Sequence, residues 1–154
     1  LYPDMDGILM TTSSQGAAES IVNTVKQNTA VGDVKLVMFD LYDGIAEDFE
    51  EGWVAAASAG NSPDALFVFL MLFNSVDGTP LSEDFINLSQ KQVIITSAEE
   101  CEDYEKYIDN PDYQIYSDEI IKSLVGKYNP DVTLEDYTEL MDAFSLEWVK
   151  ENAN

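Results

Sequence analysis

Three short apolar runs alternate with stretches of helical spacing in the first 60 residues, and this order constrains the fold more than any other feature. Residues 6–12 (DGILMTT), 34–40 (VKLVMFD) and 54–59 (VAAASA) are each too short for a helix and nearly continuous in apolar character. Such runs predict strands buried on both faces, as in parallel sheets. Between the first two, Ser13 or Ser14 can cap a helix reaching about Gln27, with Ala17, Ile21, Val22 and Val25 at helical spacing. Between the second and third, Asp43 and Gly44 open another helix, with Ile45, Phe49 and Trp53 at i, i+4 and i+8. Strand, helix, strand, helix, strand predicts right-handed crossovers and an α/β fold with a doubly wound parallel sheet.

Pro63 suits the first turn of a further helix, with Asp64 beside the positive end of its dipole. That helix, to about Val76, is apolar almost all round, which predicts deep packing. A fourth strand is expected at 91–96 (KQVIIT), and Ser97 begins a capping-box pattern, SAEE, before an acidic helix to about Tyr107. Residues 109–116 read as a linker rich in Asp, Asn, Pro and Tyr. A helical C-terminal tail follows as three short helices, 117–127, 133–144 and 145–152, with Thr133 and Ser145 as caps. Tyr104, Tyr107, Tyr113 and Tyr116 form an aromatic group that is expected to pack the tail onto the domain.

Charge and missing residue types exclude several functions. Seven Lys, with no Arg and no His, face 30 Asp plus Glu, for a formal net charge of −23. A nucleic-acid binder needs a basic stripe to displace phosphate counterions, and docking on an anionic membrane needs one too. Without His, and with Cys101 the single Cys, the usual zinc sites and His-dependent nucleophilic catalysis are excluded. The chain is 45% hydrophobic and 11% aromatic, so its acidity sits on a folded body and is not a mark of disorder. Asp131, Glu135, Asp136, Glu139 and Asp142 lack calcium-loop spacing, and Gly7, Gly16 and Gly32 form no phosphate-binding pattern. No metal and no cofactor is expected, nor any enzymatic activity.

In an open parallel sheet, ligands meet the carboxyl ends of the strands. Those ends are Thr12 and Ser13, Asp40, and Asn61. Hydroxyl, carboxylate and carboxamide groups donate and accept in fixed directions, which suits a polyhydroxylated ligand. Each can equally cap a helix or turn; Asp40 stands out because a carboxylate ending a buried strand is costly without a partner.

With the strand ends placed, the run YPDMDGILMTTSSQGAAESIVNTVKQ is similar to a segment of type I periplasmic sugar-binding proteins: Pro-Asp, Asp-Gly, apolar strand, small polar turn, helix. The stretch from Asp33 to Leu81 and the run QKQVIITSAEECEDY continue the likeness, which spans roughly Tyr2 to Tyr107. The fold is shared with effector domains of lactose-repressor-type regulators. The resemblance implies that Asp40 and Asn61 bind sugar hydroxyls and that Thr12 and Ser13 stand where the family carries an amide and a carboxylate. That replacement is a departure from the family pattern, as is the absence of Arg.

The resemblance further implies the C-terminal portion of an extracytoplasmic, lipid-anchored solute-binding protein of an ABC uptake system. A missing N-terminal lobe would then precede Leu1, and an ABC permease would be the partner. On that basis residues 1–61 form a ligand-binding lobe, 62–90 a hinge crossing and an apolar helix of the other lobe, 91–108 a return strand and helix, and 109–154 the tail. Two alternatives stand beside sugar binding: an acidic protein-interaction module or DNA-mimic-like inhibitor, and the effector-binding domain of a lactose-repressor-type regulator. If the chain is a fragment, self-association through the helix from Pro63 to Val76 is expected.

Overall fold

A computed structural model describes residues 5–11, 15–28, 32–60 and 63–153. The chain divides into two compact units, one of residues 1–59 with 93–104, the other of residues 60–92 with 105–154.

The first unit is built on a four-stranded sheet of β1 (Gly7–Met10), β2 (Lys35–Phe39), β3 (Val54–Ala59) and β4 (Val93–Ile95). The strands lie in the order β1-β2-β3-β4, the first three parallel. The helices α1 (Gln15–Gln27) and α2 (Ile45–Glu50) make the crossovers. Right-handed crossovers between strands added in sequential order put both helices on one face.

The side chains follow that geometry. Met10, Leu36, Met38, Val54, Ala57, Ala59, Val93 and Ile95 are buried, whereas Leu9, Val37, Phe39 and Ile94 are exposed. In register these two sets are the two faces: Leu9 pairs with Val37 and Met10 with Met38, Phe39 pairs with Ser58, and Ser58 with Ile94. A register shift between Leu36 and Val37 explains why Val54 and Ala57, three residues apart, share the buried face. The expectation of strands buried on both faces therefore holds for one face only among the described residues. Apolar runs specify that neither face is polar; they do not specify what covers the second one.

Two further differences have physical causes. β4 runs antiparallel to β3, pairing Ala57 with Ile95 and Ala59 with Val93. Parallel entry is enforced by a crossover returning over the same sheet, but the chain between β3 and β4 passes through the other unit. In α1 the buried stripe is Ala18, Val22 and Val25, one step round from Ala17 and Ile21. In α2 the helix ends at Glu50, before Gly52 at φ 77°, so Trp53 lies outside it.

α4 (Ala98–Tyr107) starts as its sequence predicts: the Ser97 hydroxyl accepts from the Glu100 amide at 3.2 Å. The Glu100 carboxylate reaches back one residue further than a capping box requires, accepting from the Thr96 amide at 2.7 Å.

The second unit contains α3 (Asp64–Val76), α5 (Asp118–Ser123), α6 (Leu134–Ala143) and α7 (Leu146–Asn152). Phe67, Leu70 and Asn74 of α3 are buried, but Val68, Phe69, Leu72 and Val76 are exposed, so deep packing holds for one stripe of this helix and fails for the rest. The Phe67 ring meets Tyr116 edge-on at 5.5 Å, and Tyr116 meets Trp148 at the same distance. Tyr107 meets Tyr113 edge-on at 5.3 Å.

Asn74 organises this unit. Its amide nitrogen donates to the Leu124 carbonyl at 2.9 Å and to the Tyr137 hydroxyl at 3.2 Å, and its side-chain oxygen accepts from the Gly126 amide at 2.9 Å. Gly126 has no room for a side chain, because a Cβ there would lie 2.6 Å from Thr79 Oγ1. Caps fall where the sequence put them: Ser145 accepts from the Trp148 amide at 3.1 Å, and the Thr133 amide donates to Asp136 at 2.7 Å.

Candidate functional site

β1, β2 and β3 are parallel, so their carboxyl ends lie along one edge of the sheet. Asp40 follows β2 there directly. Its amide donates to the Ser58 carbonyl at 2.7 Å, which continues the β2–β3 ladder by one bond. Its backbone then turns sharply, with φ at 62°, making Asp40 the one non-glycine residue at positive φ among those described. The left-handed region costs an L-residue roughly 1 kcal/mol, and Asp tolerates it better than most. The side chain is exposed, next to exposed Phe39. Thr12, Ser13 and Asn61, the other three expected binding residues, lie outside the described residues.

The same unit holds a charged network that the sequence did not disclose. Lys26 of α1 pairs with Asp48 and, at 2.7 Å, with Glu51, while the Tyr42 hydroxyl donates to Asp48. The hydrogen bonds to Asp48 and then Glu51 raise the Lys26 pKa above its usual value of 10.5. Burial, followed by the Asp48 hydrogen bond, pushes Tyr42 well above the ordinary range for a phenol. Lys26 and Tyr42, with their pKa values raised in this way, brace the helices and are poor acid–base catalysts near neutral pH.

Two concavities stand out among the described residues of the second unit. One, of about 710 Å³, is an open groove beside Gly78–Leu81 and the start of α6, lined mostly by backbone and small side chains. The other, of about 410 Å³, lies beside the first turn of α3 and is lined by Asp64, Phe67, Met71, Leu88, Gln90 and Met141 among others. Sequence reasoning assigned Asp64 only to the helix dipole and passed over Gln90, which sits in a segment with neither periodicity nor motif.

Among the described residues no group of three or more His, Cys, Asp or Glu side chains could hold a metal ion. No described helix is long and apolar enough to cross a membrane. No protein-family model matches the sequence, no curated protein matches it, and no solved structure matches the fold.

Proposed function

We propose that the chain is a non-enzymatic binding module that holds a polyhydroxylated small molecule, a sugar, at the carboxyl edge of the β1–β3 sheet. The observation that carries this reading is the backbone of Asp40. An exposed carboxylate stands at positive φ at the end of β2, where Gly would be easier, and uncommon backbone conformations of this kind gather at functional sites. Asp40 would accept hydrogen bonds from ligand hydroxyls, with Thr12, Ser13 and Asn61 contributing from the neighbouring strand ends. In keeping with the resemblance to type I periplasmic sugar-binding proteins, the setting would be extracytoplasmic and the partner an ABC permease. The open apolar face bearing Leu9, Val37, Phe39 and Ile94 supports a doubly wound sheet whose second layer is supplied from elsewhere. Titration calorimetry with a panel of monosaccharides tests the proposal: saturable heat from at least one sugar supports it, and silence across the panel refutes it.

A second reading draws on the same open face together with the charge of −23. An acidic module with an uncovered apolar sheet could dock a basic, partly apolar protein. Capture of such a partner that weakens as salt rises would favour it, since charge-driven complexes are screened.

A further inference from the structure

Beside the 410 Å³ cavity of the second unit, Asp64 Oδ1 and the Gln90 carboxamide are buried without a short hydrogen bond, and the Tyr116 hydroxyl lies within reach of the Gln90 amide. They belong together. Asp64 and Gln90 line the same cavity, the Asp64 charge and the Gln90 amide both act on the Tyr116 hydroxyl, and Tyr116 stacks edge-on against Phe67, another lining residue. Tyr116 itself is only 3% exposed. A buried polar group left unpaired costs about 1–3 kcal/mol, and native proteins keep few of them. Such atoms on both Asp64 and Gln90 in one cavity lining mark a site built for something that pairs with them.

We propose that this cavity binds a small organic ammonium ion, with Asp64 as its counter-ion and Gln90 as a neutral acceptor. The site is separate from the Asp40 edge and does not rest on the sugar-binding reading. Among the described residues Asp64 is the sole ionisable one lining the cavity, so a bound anion would meet an uncompensated carboxylate and no lining cation. A neutral polyol can donate to that carboxylate but leaves its charge uncompensated. An ammonium group brings a positive charge and three donors, enough for Asp64 Oδ1 and Gln90 Oε1. Phe67, Met71, Leu88 and Met141 offer an apolar wall to an aliphatic or aryl body, and the volume falls within the usual range for small-molecule pockets. Burial raises the Asp64 carboxyl pKa above 3.8 in the unliganded chain, and a neighbouring cation would draw it back down. The net charge of −23 would concentrate cations near the mouth.

The test is titration of the whole chain with phenethylammonium chloride and with its neutral counterpart 2-phenylethanol. Phenethylammonium is expected to bind about tenfold or more tightly than the alcohol. Asp64→Asn should weaken it by about tenfold or more, whereas Glu99→Gln, which removes the same charge from an exposed position on α4, should change it by less than about twofold. Gln90→Leu should also weaken it, and carries the test if Asp64→Asn does not fold. Equal affinity for the alcohol, an unchanged affinity in both Asp64→Asn and Gln90→Leu, or an equal loss in Glu99→Gln would each overturn the proposal. So would the absence of any binding up to about 10 mM, a concentration at which even a weak site fills.

Discussion

The Tyr42 hydroxyl donates to the carboxylate of Asp48, six residues along the chain, and both side chains are almost wholly buried. Lys26 of α1 closes on the same carboxylate, so one charged atom group ties the loop after β2, α2 and the far end of α1. Removing one member of a buried ion pair leaves the other uncompensated.

Asp48→Ala should therefore cost about 3 kcal/mol of stability, and Lys26→Met somewhat less because Lys26 is a quarter exposed. The pH dependence has a definite sign. Lys26 and Tyr42 both have folded pKa values raised above their ordinary 10.5 and 10.0. Their contribution is fully present below about pH 10 and is lost as pH rises through the folded values. Urea unfolding of the wild type should weaken steeply above about pH 10.5, and Lys26→Met should flatten that decline. An identical alkaline slope in the variant would show that the network does not carry it.

Asn74→Ala should destabilise the chain by about 3 kcal/mol, since three hydrogen bonds go and the Gly126 amide is left without its acceptor. The urea midpoint should fall with little change in slope. A loss below about 1 kcal/mol would mean the bonds are replaced by solvent, and that Asn74 does not hold α3 to the segment around Leu124.

α3 should drive self-association. Phe69 and Leu72 are 59% and 61% exposed and lie on the stripe opposite Phe67 and Leu70. Burying such side chains in an interface gains about 25 cal/mol per Å². Sedimentation across a concentration series should show a reversible oligomer that Phe69→Ser with Leu72→Ser shifts to monomer, with the unfolding midpoint unchanged at low concentration. A wild type that stays monomeric throughout would contradict this.

The parts legible in the sequence were those set by neighbours along the chain. The apolar runs around Leu36 and Ala57, the caps at Ser97, Thr133 and Ser145, and the break after Ala59 follow from local spacing and turn chemistry, and they appear where expected. What stayed hidden depends on distant partners. The direction of β4 is fixed by a path through another unit, and a single residue of helical phase, about 100°, separates Ala18 from Ala17. Asp40 was legible as a polar end to an apolar strand, although its positive φ was not, because Asp carries no signal comparable to Gly. Gln90 had no signal at all. Asn74 had one that was passed over: a lone carboxamide in an apolar helix must find buried partners.

The central claim is that Asp40 keeps a strained backbone in exchange for a ligand contact, and Asp40→Gly separates the two effects. Glycine removes the cost of φ 62° and the carboxylate together. The measurement is monosaccharide titration calorimetry on wild type and Asp40→Gly, with their urea midpoints determined alongside. The account predicts a variant more stable by about 0.5–1 kcal/mol whose affinity for the bound sugar falls by about tenfold or more. A variant that binds every sugar as the wild type does would contradict it.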